Sequence, residues 1–221
     1  MPLPVSTSSR PRWRSGSMHR ASQWTRRLCG AGAAFASAPA WAHTTQGVGD
    51  FHAGFLHPLT SPEHIIAFVA LGILASQQGR SGLRALIIFW IAGAIGATAA
   101  LWMPAYTLVD AINIASMIVV GGLVATHWSY PALALYPLAG LFGLTHGLAN
   151  GAAIEPPLKA YLFIPGYVVA SMLAVSVGLV ASDWLLDKRI GWMNVAVRVA
   201  GSWIAAIGIL VLAGNWKSLM L

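Results

Sequence analysis

Charged residues and cysteines are scarce in this chain. Only 9% of its 221 residues are Asp, Glu, Lys or Arg, whereas an ordinary soluble domain carries roughly a quarter. Together with 57% hydrophobic residues and a mean hydropathy of +0.69, this scarcity excludes a soluble globular domain. The single cysteine excludes both a disulfide framework and a cluster of thiolate ligands.

Acidic residues are also few, but the resulting positive charge does not indicate a nucleic-acid partner. The chain has thirteen Lys and Arg against six Asp and Glu. Six of the arginines lie in the first 42 residues, which contain no acid. The remainder carries seven basic and six acidic residues, a net charge of +1. The excess charge therefore belongs to the N-terminal segment, and we expect no nucleic-acid binding.

The N-terminal segment has the features of a secretory signal peptide. Its arginines precede the apolar run 28–36 and then Ala40-Trp41-Ala42, which matches an A-x-A cleavage site. We therefore expect residues 1–42 to be removed and the mature chain to begin at His43. Met18 is the predicted start, because a signal counted from there falls in the usual range of about 15–30 residues. The alternative is an uncleaved cytoplasmic tail.

Long apolar runs fill the rest of the chain, 43–221. They are continuous rather than alternating, which favours helices over barrel strands, and a spanning helix needs about 20 apolar residues. Short polar, Pro-containing or Gly-containing breaks divide them into six predicted spans: 62–78, 83–102, 106–126, 131–150, 161–182 and 192–214. The predicted fold class is all-α: a polytopic membrane protein in which six transmembrane helices form one bundle after a cleavable signal peptide.

The distribution of basic residues predicts the orientation of this bundle. Lys and Arg accumulate on the cytoplasmic side of membrane proteins, and the predicted loops at Arg80, Arg84, Lys188 and Arg189 all fall on one side. A cleaved signal peptide places the mature N-terminus on the opposite side. Both observations predict a multi-pass protein of the bacterial inner membrane with its N-terminus and C-terminus in the periplasm.

Most candidate metal ligands fall at the outer ends of the predicted spans. They are His43, Asp50, His52, His57, Glu63, His64, Asp110, His146 and Asn150. Imidazole, carboxylate and amide groups without thiolate suit a divalent ion such as nickel, cobalt or zinc rather than copper(I). Four separate segments at a common depth predict one outward-facing metal site. For single residues there are alternatives: a histidine in a span can simply hydrogen-bond to a neighbouring helix, and His43 and His52 can be solvated.

The surroundings of these residues carry local structural signals. Ser61 is a favourable N-cap and Pro62 suits the first position of a helix. Together with Pro58 they predict a non-helical stretch carrying His57, which at membrane depth is tolerated only in a protein interior or a wet cavity. In the fourth span, His146 and Asn150 share one helix face. Glycines at 143, 147 and 151 are expected to let a neighbouring helix approach closely.

Two of these segments resemble motifs of a known family. Residues 57–72, HPLTSPEHIIAFVALG, resemble the HPxxGxDHxxAMxAVG signature of the HupE/UreJ family, and HGLANG at 146–151 is similar to its HGHAHG motif. The predicted signal peptide before His43 and Val109-Asp110 in the third span agree with the same family. The resemblance implies a six-helix secondary permease for nickel or cobalt that supplies hydrogenase or urease maturation. It implies no permanently bound cofactor and suggests metallochaperones as partners.

The chain also departs from the family pattern. Glu63 replaces the usual aspartate, and Leu148, Asn150 and Val175 stand where the resemblance leads one to expect histidines. Two hypotheses therefore remain open: a permease, or a non-transporting accessory or metal-sensing protein of the same fold. No Walker motif indicates ATP-driven transport. No nucleophile elbow or haem cleft is evident, so an enzyme is not predicted.

Overall fold

The structure is a computed structural model that describes residues 49–103, 107–187 and 191–219. Its helices are α1 (Asp50–Thr60), α2 (Pro62–Ala99), α3 (Thr107–Thr126), α4 (Ala132–Ala152), α5 (Ala160–Asp187) and α6 (Gly191–Leu219), with a 3₁₀ turn at Ala100–Trp102. No strand occurs in these ranges. The predicted signal peptide 1–42, with Met18, and also His43, Lys188 and Arg189 lie outside the described residues.

Helix α2 is a hairpin rather than one straight helix. Gly79 has φ 55° and ψ −129°, a left-handed conformation that glycine adopts without steric cost. The arms 62–78 and 80–99 fold back on each other, so that the rings of Phe68 and Phe89 lie 5.6 Å apart. In a straight helix these residues would be about 30 Å apart. The hairpin therefore contributes two crossings.

The membrane-crossing helices agree with the predicted spans. Five stretches are long and apolar enough to cross a membrane, including the 41-residue stretch Pro62–Trp102 that contains the hairpin. Divided at Gly79, they give the six predicted crossings and confirm the all-α polytopic fold class. Helices α5 and α6 run beyond the predicted ends. At the extended end of α5, Asp183 accepts a 2.6 Å hydrogen bond from Ser76 of the hairpin.

The hairpin lies at the centre of the bundle. Its arms pack against α4 and α5, while α3 pairs with α6. Backbones touch where glycines face a neighbour: an added Cβ on Gly147 would lie 2.1 Å from the carbonyl oxygen of Gly93, and one on Gly151 would lie 2.3 Å from that of Ala97. Helices in lipid associate through such close contacts. The predicted role of the α4 glycines in close approach is confirmed.

The segment before the first span differs from the prediction. His57 was expected on non-helical backbone, but it lies within α1, and so does Pro58. Pro58 stands in the last turn, where its missing N–H removes only one intrahelical hydrogen bond. Packing against α5 stabilises the helix, because an added Cβ on Gly54 would lie only 2.0 Å from the carbonyl oxygen of Phe163. Tertiary contact therefore outweighs the local break signal.

Ser61 occupies the single position between α1 and α2. It is the N-cap residue of α2 and Pro62 follows it at the start of the helix, as predicted. However, its side chain makes no capping hydrogen bond to α2. Its Oγ instead donates to the carbonyl oxygen of His57 at 2.9 Å. The hydroxyl therefore completes the end of α1 rather than the start of α2.

Candidate metal-binding site

Two buried imidazoles meet between α2 and α4. His64 stands in the first turn of α2, and His146 stands in the C-terminal part of α4. Their Nδ1 atoms lie 2.9 Å apart, and the residues are only 4% and 1% exposed. The Phe68 ring stacks on His64 and lies 5.1 Å from the ring of His146. The structure thus brings together predicted residues from the first and fourth spans in a setting shielded from solvent.

Helix α3 adds a residue that the sequence interpretation missed. Ser116 Oγ lies 3.0 Å from Nε2 of His146 and donates a 2.6 Å hydrogen bond to the backbone carbonyl of Asn113. Asp110, Asn113 and Ser116 follow one another at intervals of three, so each is a neighbour of the next on the helix surface. This polar stripe in an otherwise apolar span was the available signal, but the predicted ligands included only Asp110 from it.

A polar cavity of about 350 Å³ opens beside the imidazole pair. It is lined by Glu63, His64, Thr107, Asp110, Asn113, Ile114, Val211 and Asn215. Because one water in the liquid occupies about 30 Å³, this volume accommodates an ion together with several waters. Two predicted carboxylates from different helices, Glu63 and Asp110, thus face the same space as His64. Negative charge on two walls suits a cation.

Two amide oxygens near this site have no partner. Asn113 Oδ1 and Asn150 Oδ1 are buried and accept no hydrogen bond from the described residues. The amide nitrogens are engaged: Asn113 Nδ2 donates to Thr145 O at 3.3 Å, and Asn150 Nδ2 donates to His146 O at 2.8 Å. A buried unpaired carbonyl is costly. Asn113 also lines the cavity, so its unpaired oxygen would lie close to a ligand bound there.

His57 of α1 lies close to His64. The centroids of their rings are 6.2 Å apart, and the His57 ring also lies 6.1 Å from Phe163 of α5. Burial lowers the pKa of His57 below its ordinary value, which keeps the imidazole neutral at neutral pH. A neutral imidazole retains the lone pair that a metal needs. Helix α1 therefore holds a potential ligand beside the pair.

The remaining predicted ligands are not brought to the cavity. Asp50 and His52 lie in the first turn of α1, where His52 is exposed, and neither lines the cavity. Within the described ranges, no group of three or more His, Cys, Asp or Glu side chains is arranged to hold a metal ion. A cation in this arrangement would need waters or amide oxygens to complete its coordination.

Two positions where family histidines were expected lie at tight helix crossings. Val175 is 0% exposed, and its carbonyl oxygen would lie 2.0 Å from an added Cβ on Gly72. The backbone nitrogen of Leu148 would lie 3.0 Å from an added Cβ on Gly96. Both positions therefore lie on helices that pack backbone to backbone with the hairpin.

Comparisons with known proteins agree with this architecture. The family model described as HupE / UreJ protein matches residues 18–211. Protein HupE of Rhizobium leguminosarum bv. viciae is 27% identical over 166 residues, which cover 73% of this chain and 84% of that protein. No solved structure matches. Because the family match spans nearly all of the six-helix region, the chain belongs to the HupE/UreJ family.

Proposed function

We propose that this protein is a secondary permease for divalent nickel or cobalt ions. One observation carries the proposal: the buried pair of His64 and His146 adjoins a cavity that also presents the carboxylates of Glu63 and Asp110. Imidazole and carboxylate ligands suit such ions. The resemblance to the HupE/UreJ family supports the same cargo, with hydrogenase or urease maturation as its use.

Transport would begin at the carboxylates. Glu63 and Asp110 attract a hydrated cation into the cavity, and His64 then replaces one of its waters, with His57 and Asn113 as further donors beside it. In the orientation predicted from the loop charges, the cavity faces the periplasm and the ion is released into the cytoplasm. The membrane potential supplies about 2.3 kcal/mol per charge per 100 mV. Metallochaperones are the proposed recipients, and the metal is cargo rather than a resident cofactor.

Uptake of radioactive nickel and cobalt by expressing cells tests this proposal. We expect the wild-type protein to raise uptake above the vector control and His64→Ala to abolish the increase at equal membrane levels. His127→Ala is the matched control, because His127 is exposed in the turn after α3. If the wild-type protein gives no uptake of either ion, the permease proposal is wrong.

A non-transporting accessory or metal-sensing protein is the second candidate. It is favoured by the lack of any ready group of three ligands among the described residues and by the aliphatic side chains of Leu148 and Val175. Equilibrium dialysis of the purified protein with nickel separates the two candidates. Nickel binding that depends on His64, without uptake in cells, supports the sensor; binding together with uptake supports the permease.

A further inference from the structure

A continuous chain of hydrogen bonds links α3, α4 and α2. Ser116 Oγ donates to the Asn113 carbonyl at 2.6 Å and lies 3.0 Å from His146 Nε2. His146 Nδ1 in turn lies 2.9 Å from His64 Nδ1. All four residues are buried. The position of each hydrogen in this hydrogen-bond network can therefore be deduced from the donors and acceptors present.

Ser116 has one hydroxyl proton for two contacts. A backbone carbonyl can only accept, so the one hydroxyl proton of Ser116 points to Asn113 O. Only lone pairs remain on Oγ for the second contact, and His146 Nε2 must therefore carry a proton. A second proton on His146 would create an imidazolium in a pocket formed by Ser116, His64 and two phenylalanine rings, which is costly without a paired carboxylate. His146 is thus neutral, and its Nδ1 is an acceptor.

The tautomer of His64 follows directly. Since His146 Nδ1 accepts, His64 Nδ1 must donate the proton in the 2.9 Å bond between the rings. A neutral His64 then has no proton on Nε2. Because Nδ1 is engaged and His64 lines the cavity, Nε2 is the ring nitrogen available to a ligand there. Hydrogen bonding of the other ring nitrogen is the usual way in which proteins orient a metal-binding histidine.

We infer that Ser116 is a positioning residue that fixes the tautomers of His146 and His64, so that Nε2 of His64 binds the cation while His146 supports it without touching the ion. The inference rests on the proposed function for the identity of the cation. It assigns different roles to the two histidines, which the sequence pattern alone predicted to be equivalent ligands. It also gives Ser116 a role that neither charge nor metal affinity of its own would suggest.

The tautomers can be measured without metal and without transport. In the purified wild-type protein labelled with ¹⁵N-histidine, NMR should show His64 protonated at Nδ1 and His146 protonated at Nε2. Signals are assigned with His64→Gln and His146→Gln. In Ser116→Ala, where His146 is free to invert, we expect both tautomers of each ring. A wild-type His64 protonated at Nε2 would overturn the inference.

Metal titration then tests which atom binds. Zinc serves as a diamagnetic probe. It should shift the Nε2 signal of His64, whereas Nε2 of His146 should remain protonated. Ser116→Ala should weaken zinc binding by about 10–100-fold, the usual effect of losing such a supporting bond, while Ser116→Thr, which keeps the hydroxyl, should restore it. Direct ligation of zinc by His146 would refute the assigned roles. Predicted tautomers and zinc shifts without cellular uptake would instead contradict only the permease proposal.

Discussion

The glycine contact beside His146 allows a sharp test of how packing controls the site. In Gly147→Ala, the new Cβ would lie 2.1 Å from the carbonyl oxygen of Gly93, whereas Cβ atoms essentially never approach other atoms closer than 3.0 Å. The Gly93 carbonyl oxygen and the Gly147 Cα that carries the new Cβ both belong to helix backbone, so neither can rotate away. Helix α4 must therefore retreat from the hairpin by about 1 Å, close to a tenth of a normal interaxial distance.

This retreat should affect both stability and the site. Overpacking of this kind typically costs about 1–3 kcal/mol, so we expect a lower unfolding temperature. His146 precedes Gly147 and moves with it. A displacement of about 1 Å would stretch the 2.9 Å bond between the imidazoles beyond the range of about 3.2 Å that N–H hydrogen bonds tolerate. Nickel uptake should fall together with stability.

Gly140→Ala is the matched control on the same helix. Its Cβ would lie 3.7 Å from a methyl carbon of Ile88, an ordinary van der Waals contact. Alanine is favoured over glycine in helices by up to about 1 kcal/mol, so this variant should be unchanged or slightly more stable. Thermal unfolding in detergent and nickel uptake at equal membrane levels provide the two readouts. If Gly147→Ala unfolds at the same temperature as Gly140→Ala and transports normally, the packing argument is wrong.

Three further predictions concern the side chains of the site. His146→Gln, which keeps a hydrogen-bond acceptor for His64, should retain more nickel affinity than His64→Gln; equal losses in dialysis would mean that both rings bind metal. Glu63→Gln and Asp110→Asn should each raise the nickel concentration for half-maximal uptake several-fold, because they remove charge from the cavity at constant size, and an unchanged half-saturation would show that the carboxylates do not attract the ion. Val175→His should lower the unfolding temperature rather than improve binding, since the position is fully buried at a helix crossing; higher nickel affinity at full stability would contradict this expectation.

Much of the architecture was predictable from the sequence because lipid imposes simple rules. Spanning helices must be about 20 apolar residues long and must satisfy their backbone groups internally, so the six crossings could be located from apolar runs and their breaks. The turn at Gly79 was marked by the break at Gly79 to Gly82. The close approach at the α4 glycines was also predictable, because small residues have few other uses on a packed helix face.

The predictions made from the sequence failed where tertiary contacts compete with local signals. Pro58 and Ser61 favour a break before the first span, yet α1 continues through His57 because Gly54 lets it pack directly on α5. Ser116 was missed because the predicted ligands included only Asp110 of the polar stripe on α3. Its importance depends on a 3.0 Å contact with a residue of another helix.

The sequence by itself determined which apolar runs form the long helices and near which helix ends most of the histidines and carboxylates lie, because hydrophobic length and the breaks between runs fix the ends of spanning helices. Only the tertiary structure decided which of them meet. His64 and His146 are 82 positions apart in the chain, and their contact depends on the rotation of each helix about its axis and on backbone crossings at glycine. A hydrogen bond tolerates a change of only a few tenths of an ångström in its donor–acceptor distance. Helix packing sets positions with this precision, whereas the pattern of apolar residues does not.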